Sequence, residues 1–85
     1  MYGINLIEVA KILGVTVAGN ALFNKNGVVH SIYQEIIKYS AQQDIDMVKV
    51  MMRTLAQQHE GAYNDVVEIL RKHFTEQELQ DILLQ

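Results

Sequence analysis

Apolar residues recur at three- and four-residue spacing along nearly the whole chain, which is the signature of helices with one buried face. Leu6, Ile7, Val9, Ala10, Ile12 and Leu13 predict a first helix, with Asn5 placed to cap it. Gly14 is expected to end that helix or to make a tight turn. Residues 15–23 read in two ways. As a helix they continue a seam of small residues, Ala10, Gly14 and Ala18, four apart. As a strand they alternate through Val15, Thr16 and Val17, and Asn26-Gly27 is a hairpin-type turn signal. The helical reading is preferred because alternation fails at Gly19-Asn20, and a β-hairpin over 15–29 remains the alternative. Asn24, Lys25, Asn26 and Gly27 are expected to form a loop.

From there the pattern is regular. Val29, Ile32, Ile36 and Tyr39 predict a helix over 28–40, widened by Val28, Tyr33 and Ile37. Asp44 is a cap for the next helix, about 45–58, faced by Ile45, Val48, Met51, Met52 and Leu55. The pattern breaks at His59-Glu60-Gly61, with Gly61 as the expected stop, and resumes over 62–73 through Ala62, Val66, Ile69 and Leu70. Thr75 and Glu78 then have the spacing of a capping box ahead of Leu79, Ile82 and Leu83. The expected fold is all-α: a compact bundle of about five short helices in a single domain, 1–85.

Composition narrows the function. Cysteine is absent, which removes disulfide staples and thiolate catalysis and is compatible with a reducing cytoplasm. The formal charge of −3 is uneven: residues 1–30 hold Lys11, Lys25 and Glu8, while the remainder carries the acidic excess. No cluster of Lys and Arg is present to release counterions from phosphates, so protein partners are favoured over nucleic acid or anionic membrane. Residues 4–23 are apolar at first sight, but Asn5, Glu8, Lys11 and Asn20 interrupt them, and no basic segment precedes them. Neither a membrane span nor a signal peptide is expected, and the protein is expected in the cytoplasm.

Candidate chemistry is sparse. His59-Glu60 begins like a zinc-protease helix, but the second ligand position holds Tyr63. Among the other hydroxyl residues (Ser31, Ser40, Thr16, Thr54 and Thr75), none sits in a glycine-flanked nucleophile turn. Asp44 and Asp46, two apart on a helix, diverge rather than pair, and suit a helix start. No catalytic, cofactor or metal site is expected. Met47, Met51 and Met52 span a wide arc, and flexible thioethers suit adaptable contact surfaces as well as cores.

Two family resemblances bear on this. Within residues 5–27, Val9, Ala10, Gly14, Val15 and Thr16 fall as in the helix-turn-helix of lac-repressor-type regulators, with Ala10 at the helix crossing and Gly14 at the turn. The second half departs from that pattern: Asn20 stands where a buried aliphatic is expected, and Val17, Ala18 and Leu22 offer base edges no hydrogen bonds. Residues 18–55 are similar to the small two-component connector proteins of enteric bacteria. The segment from Gly19 to Asn26, then an apolar helix, then Gln43-Asp44-Ile45 and Thr54-Leu55 carry that likeness. It implies a helical dimer acting on signalling partners.

The leading expectation is therefore a small acidic regulatory adaptor that works without catalysis, through helix-mediated contacts with itself, as a dimer, or with a signalling or transcription partner. Ile45, Val48, Met51, Met52 and Leu55 are the expected contact face. The alternative is a helix-turn-helix transcription regulator, in which Thr16, Asn20, Asn24 and Lys25 face DNA.

Overall fold

The computed structural model describes residues 3–19 and 27–83, the side chains of 17–19 excepted. Among them are five helices and no strand: α1 (Leu6–Gly19), α2 (Gly27–Ala41), α3 (Ile45–Gln58), α4 (Glu60–Arg71) and α5 (Glu76–Leu79). Residues 15–19 and 27–29 are helical, so the hairpin alternative does not hold where it can be read; the remainder of it lies outside the described residues. Helix α1 packs on α2, α2 on α3 and α3 on α4, with lighter contacts closing α1 onto α4 and α4 onto α5.

One contact stripe from each helix supplies the core. Val9 and Leu13 of α1, Tyr33 and Ile36 of α2, Val48, Met52 and Leu55 of α3, and Val66 and Leu70 of α4 are all buried to within 1% of fully. Leu79 and Ile82 close one end. Tyr33 brings a hydroxyl into this interior and donates to the Ala62 carbonyl at 3.2 Å, which ties α2 to the first turn of α4. Burial, and secondarily the charge of Asp65, hold its phenol well above the ordinary tyrosine range.

The caps follow the sequence. Asn5 accepts from the Glu8 N–H at 3.2 Å. Asp44 accepts from the Met47 N–H at 3.2 Å, and Thr75 and Glu78 form the reciprocal capping box. His59 is the unforeseen one. Its Nδ1 accepts from the Ala62 N–H at 3.0 Å, so the imidazole starts α4 and the chain turns at His59 itself. Gly61, expected as a stop, sits inside the first turn of α4. Between α2 and α3, Gln43 adopts the left-handed conformation at φ 58°. The Gln43 N–H donates to the Ser40 carbonyl and the Asp44 N–H to the Tyr39 carbonyl, a Schellman closure in which glutamine occupies the usual glycine position. Asp44 thus closes one helix and caps the next, which fixes the antiparallel turn.

Gly14 is the main departure. It makes no turn: α1 passes through it for a further turn, no described glycine has positive φ, and a Cβ added there would meet nothing within 4 Å. Glycine in a helix interior costs about 0.5–1 kcal/mol relative to alanine. Gly14→Ala is therefore expected to raise the unfolding free energy by about that amount in urea titrations. A comparable loss of stability would instead indicate a left-handed turn at this position.

Ser40 is fully buried, and its Oγ has no hydrogen-bond partner among the described residues. A buried hydroxyl without a partner carries a desolvation penalty of about 1–3 kcal/mol. Ser40→Ala is expected to leave the fold intact and raise its urea midpoint; a lowered midpoint would show that the hydroxyl is satisfied in solution.

Candidate functional site

The expected contact face on α3 points inward. Val48, Met52 and Leu55 are each 0% exposed, and Ile45 and Met51 are half-buried against the same core. The physical reason is the neighbours of α3: it lies between α2 and α4, so its apolar stripe is consumed by the fold. This corrects the sequence expectation. The residues of the DNA-reading alternative fare differently. Thr16 donates its hydroxyl back to the Ile12 carbonyl at 2.8 Å, and Asn20, Asn24 and Lys25 lie outside the described residues. A helix-turn-helix needs two helices meeting at Gly14, where one continuous helix stands.

The outward apolar residues lie elsewhere. Val15 is 76% exposed, Val28 56%, Val50 44% and Ile7 38%. Two of these, Ile7 and Val15, stand two turns apart on α1, with Lys11 between them. Helical geometry puts all three on one side, opposite Leu6, Val9 and Leu13, which enter the core. Glu8 and Lys11, the charged residues of this helix, are both exposed on that outer side, Glu8 one turn before Ile12, so apolar and charged residues share it.

Beside Val15 lies an open dimple of about 320 Å³, lined by Lys11, Ile12, Val15, Thr16 and His73. Its floor is apolar, and the one hydroxyl on its wall is already bonded within α1. Lys11 and His73 border it, and neither makes an ion pair among the described residues. His73 reaches this position because α4 ends at Arg71 and α5 begins at Glu76. Arg71 and Glu76 join across that turn at 2.8 Å.

A larger groove, about 580 Å³, runs between the N-terminal segment Gly3–Leu6, the α2–α3 turn at Gln43, Ile45 and Lys49 of α3, and Asp81. Asp81 accepts from the Ile4 N–H at 2.8 Å and so fastens the segment ahead of α1 to the far end of the chain. A third recess, about 450 Å³, lies between Val28, Ser31 and Ile32 of α2 and Thr54 and Gln58 of α3. Thr54 donates to the Val50 carbonyl at 2.9 Å. Among the described residues no three histidine or carboxylate side chains converge as a metal would require. Asp44 is engaged as a cap and Asp46 is exposed in the first turn of α3. No helix among the described residues is long and apolar enough to cross a membrane.

The outer side of α1 was missed by sequence reasoning because a turn was placed at Gly14, which split Val15 from Ile7 and Lys11. The available signal was that α1 is apolar around more than one face: Ile7, Ile12 and Val15 do not fit the stripe of Leu6, Val9 and Leu13.

No known protein family, curated protein or solved structure matches this chain.

Proposed function

We propose that this protein is a small regulatory adaptor that acts without catalysis, through protein–protein contacts made by the outer side of α1. The supporting observation is Val15, a large apolar residue three-quarters exposed, on one side of a helix with Ile7 and next to an apolar dimple. An exposed valine or isoleucine alone is ordinary, but two on one helix side beside an apolar dimple, with Glu8 and Lys11 around them, form the kind of surface that partners cover. The contact is made with a second copy or with a signalling or transcription protein. Its seat on α1 replaces the α3 face, whose residues hold the fold together.

The absence of cysteine makes the test direct. A thiol introduced as Val15→Cys takes a photo-reactive maleimide at a single position. On the purified protein, and in extract of its source cells, irradiation is expected to give a discrete adduct with a second copy or one other protein. The same probe at the exposed Asn64 of α4 serves as control. Equal labelling from both positions, or no adduct from position 15, would contradict the reading.

A further inference from the structure

We infer that the dimple between α1 and the turn after α4 takes an acidic amphipathic segment of a partner protein: an apolar side chain seated on Ile12 and Val15, with carboxylates on either side of it. This rests on the reading of α1 as the contact element and adds the chemistry of the partner. The argument is one of charge. The chain carries −3 overall, yet the dimple is bordered by Lys11 from α1 and the His73 imidazole from the turn after α4, and no carboxylate lines it among the described residues. Lys72, next to His73, is exposed and also without an ion pair among the described residues. The nearest acid in sequence on α1, Glu8, is not part of the lining.

The Lys11 ammonium at its border and the Lys72 ammonium next to His73 thus give one apolar depression cationic neighbours on a molecule of net negative charge. A basic or neutral segment would leave them unanswered, whereas flanking Asp or Glu would pair with them and steer the encounter. The floor favours a peptide over a nucleic acid. Ile12 and Val15 present no hydrogen-bonding group to a base edge, and the Thr16 hydroxyl already donates to its own helix. The volume, about 320 Å³, suits one or two apolar side chains, which makes the site a docking point for a short segment.

The test is selection from a displayed library of random peptides against the immobilised full chain, at moderate ionic strength. Enriched sequences are expected to hold one or two large apolar residues flanked by Asp or Glu. Their affinity should fall about tenfold or more with Val15→Asp and roughly three- to tenfold with Lys11→Glu. Both positions are exposed, and unchanged circular dichroism and urea midpoints would establish that the variants fold. Neutral or basic peptides that still need Val15 would overturn the inference and leave the contact reading of α1 in place. Retention of a DNA duplex at low salt, insensitive to Val15→Asp, would overturn the inference, as would self-association through Val15 with no peptide selected. If neither peptides nor the photo-reactive probe engages position 15, both the inference and the contact reading fail.

Discussion

Met52→Ala is expected to lower the unfolding free energy by about 2–5 kcal/mol, the usual cost of emptying a fully buried site. Met52 is 0% exposed between Val48 and Leu55, which are themselves 0% exposed, so the lost atoms leave a void rather than a wetter surface. A domain of this length commonly has about 4–13 kcal/mol in total, at roughly 0.05–0.15 kcal/mol per residue. The loss is therefore a large share of that total. Truncating the half-buried Met51 should cost much less, because water and mobile neighbours can refill its site. Urea titrations of the two variants check this. Equal, small effects on both would mean that the α3 stripe is a surface after all.

Tyr33→Ala should be of similar severity, about 3–5 kcal/mol by analogy with large aromatic truncations. It removes a fully buried ring and the hydrogen bond that joins α2 to Ala62. Tyr33→Phe separates the two contributions, keeping the ring and losing about 0.5–1.5 kcal/mol with the hydroxyl. The phenol also makes a pH prediction. Its folded pKa is raised, first by burial and then by Asp65, whereas the unfolded chain ionises near the ordinary value of about 10. The neutral phenol is the form the fold accepts. Its contribution is complete below pH of about 10 and declines as pH rises above that, because only the unfolded state then gains by releasing the proton. Between about pH 10 and 12 the wild-type protein should lose stability more steeply than Tyr33→Phe. Parallel curves would show that the hydroxyl is reached by solvent in the folded state.

How much of this was legible in the sequence depends on what each residue answers to. Local rules were readable. Asp44, Asn5 and Thr75 cap because their side-chain oxygens meet the free N–H groups of the turn that follows, whatever the rest of the fold does. Periodicity likewise placed α2 and α3 to within a residue or so of their ends. Gly14 shows the limit of such rules. Glycine permits a turn without requiring one, and α1 runs on through it, with Leu13 just before it buried in the core. His59 escaped notice for a related reason: an imidazole nitrogen caps a helix only in the neutral tautomer that leaves Nδ1 as acceptor, a role its side chain shares with metal binding and surface display.

The misplaced contact face is the more instructive failure. Spacing shows that Ile45, Val48, Met51, Met52 and Leu55 share a side of α3, but nothing in spacing says whether that side meets the same chain or another one. The answer depends on topology. Helix α3 is flanked by α2 and α4, so its stripe is satisfied internally. Helix α1 comes first in the bundle, meets α2 along one side and α4 lightly, and keeps Ile7 and Val15 outside. The dimple at Lys11 and His73 was out of reach for the same reason. Sixty-two positions separate its two bases, and only the closure of α1 toward the end of α4 brings them to one depression.

Which of two apolar surfaces meets water decides both the core and the contact surface of this protein. Thiol reactivity in this cysteine-free chain reads that directly, with one variant carrying Val15→Cys and another Met52→Cys. The thiol at position 15 should react with a small disulfide reagent at the rate of a free cysteine. At position 52 it should react only as fast as the protein opens, many-fold slower and accelerated by urea. Rapid labelling at 52 with protection at 15 would reverse the assignment, and with it both the core and the contact surface described for this protein.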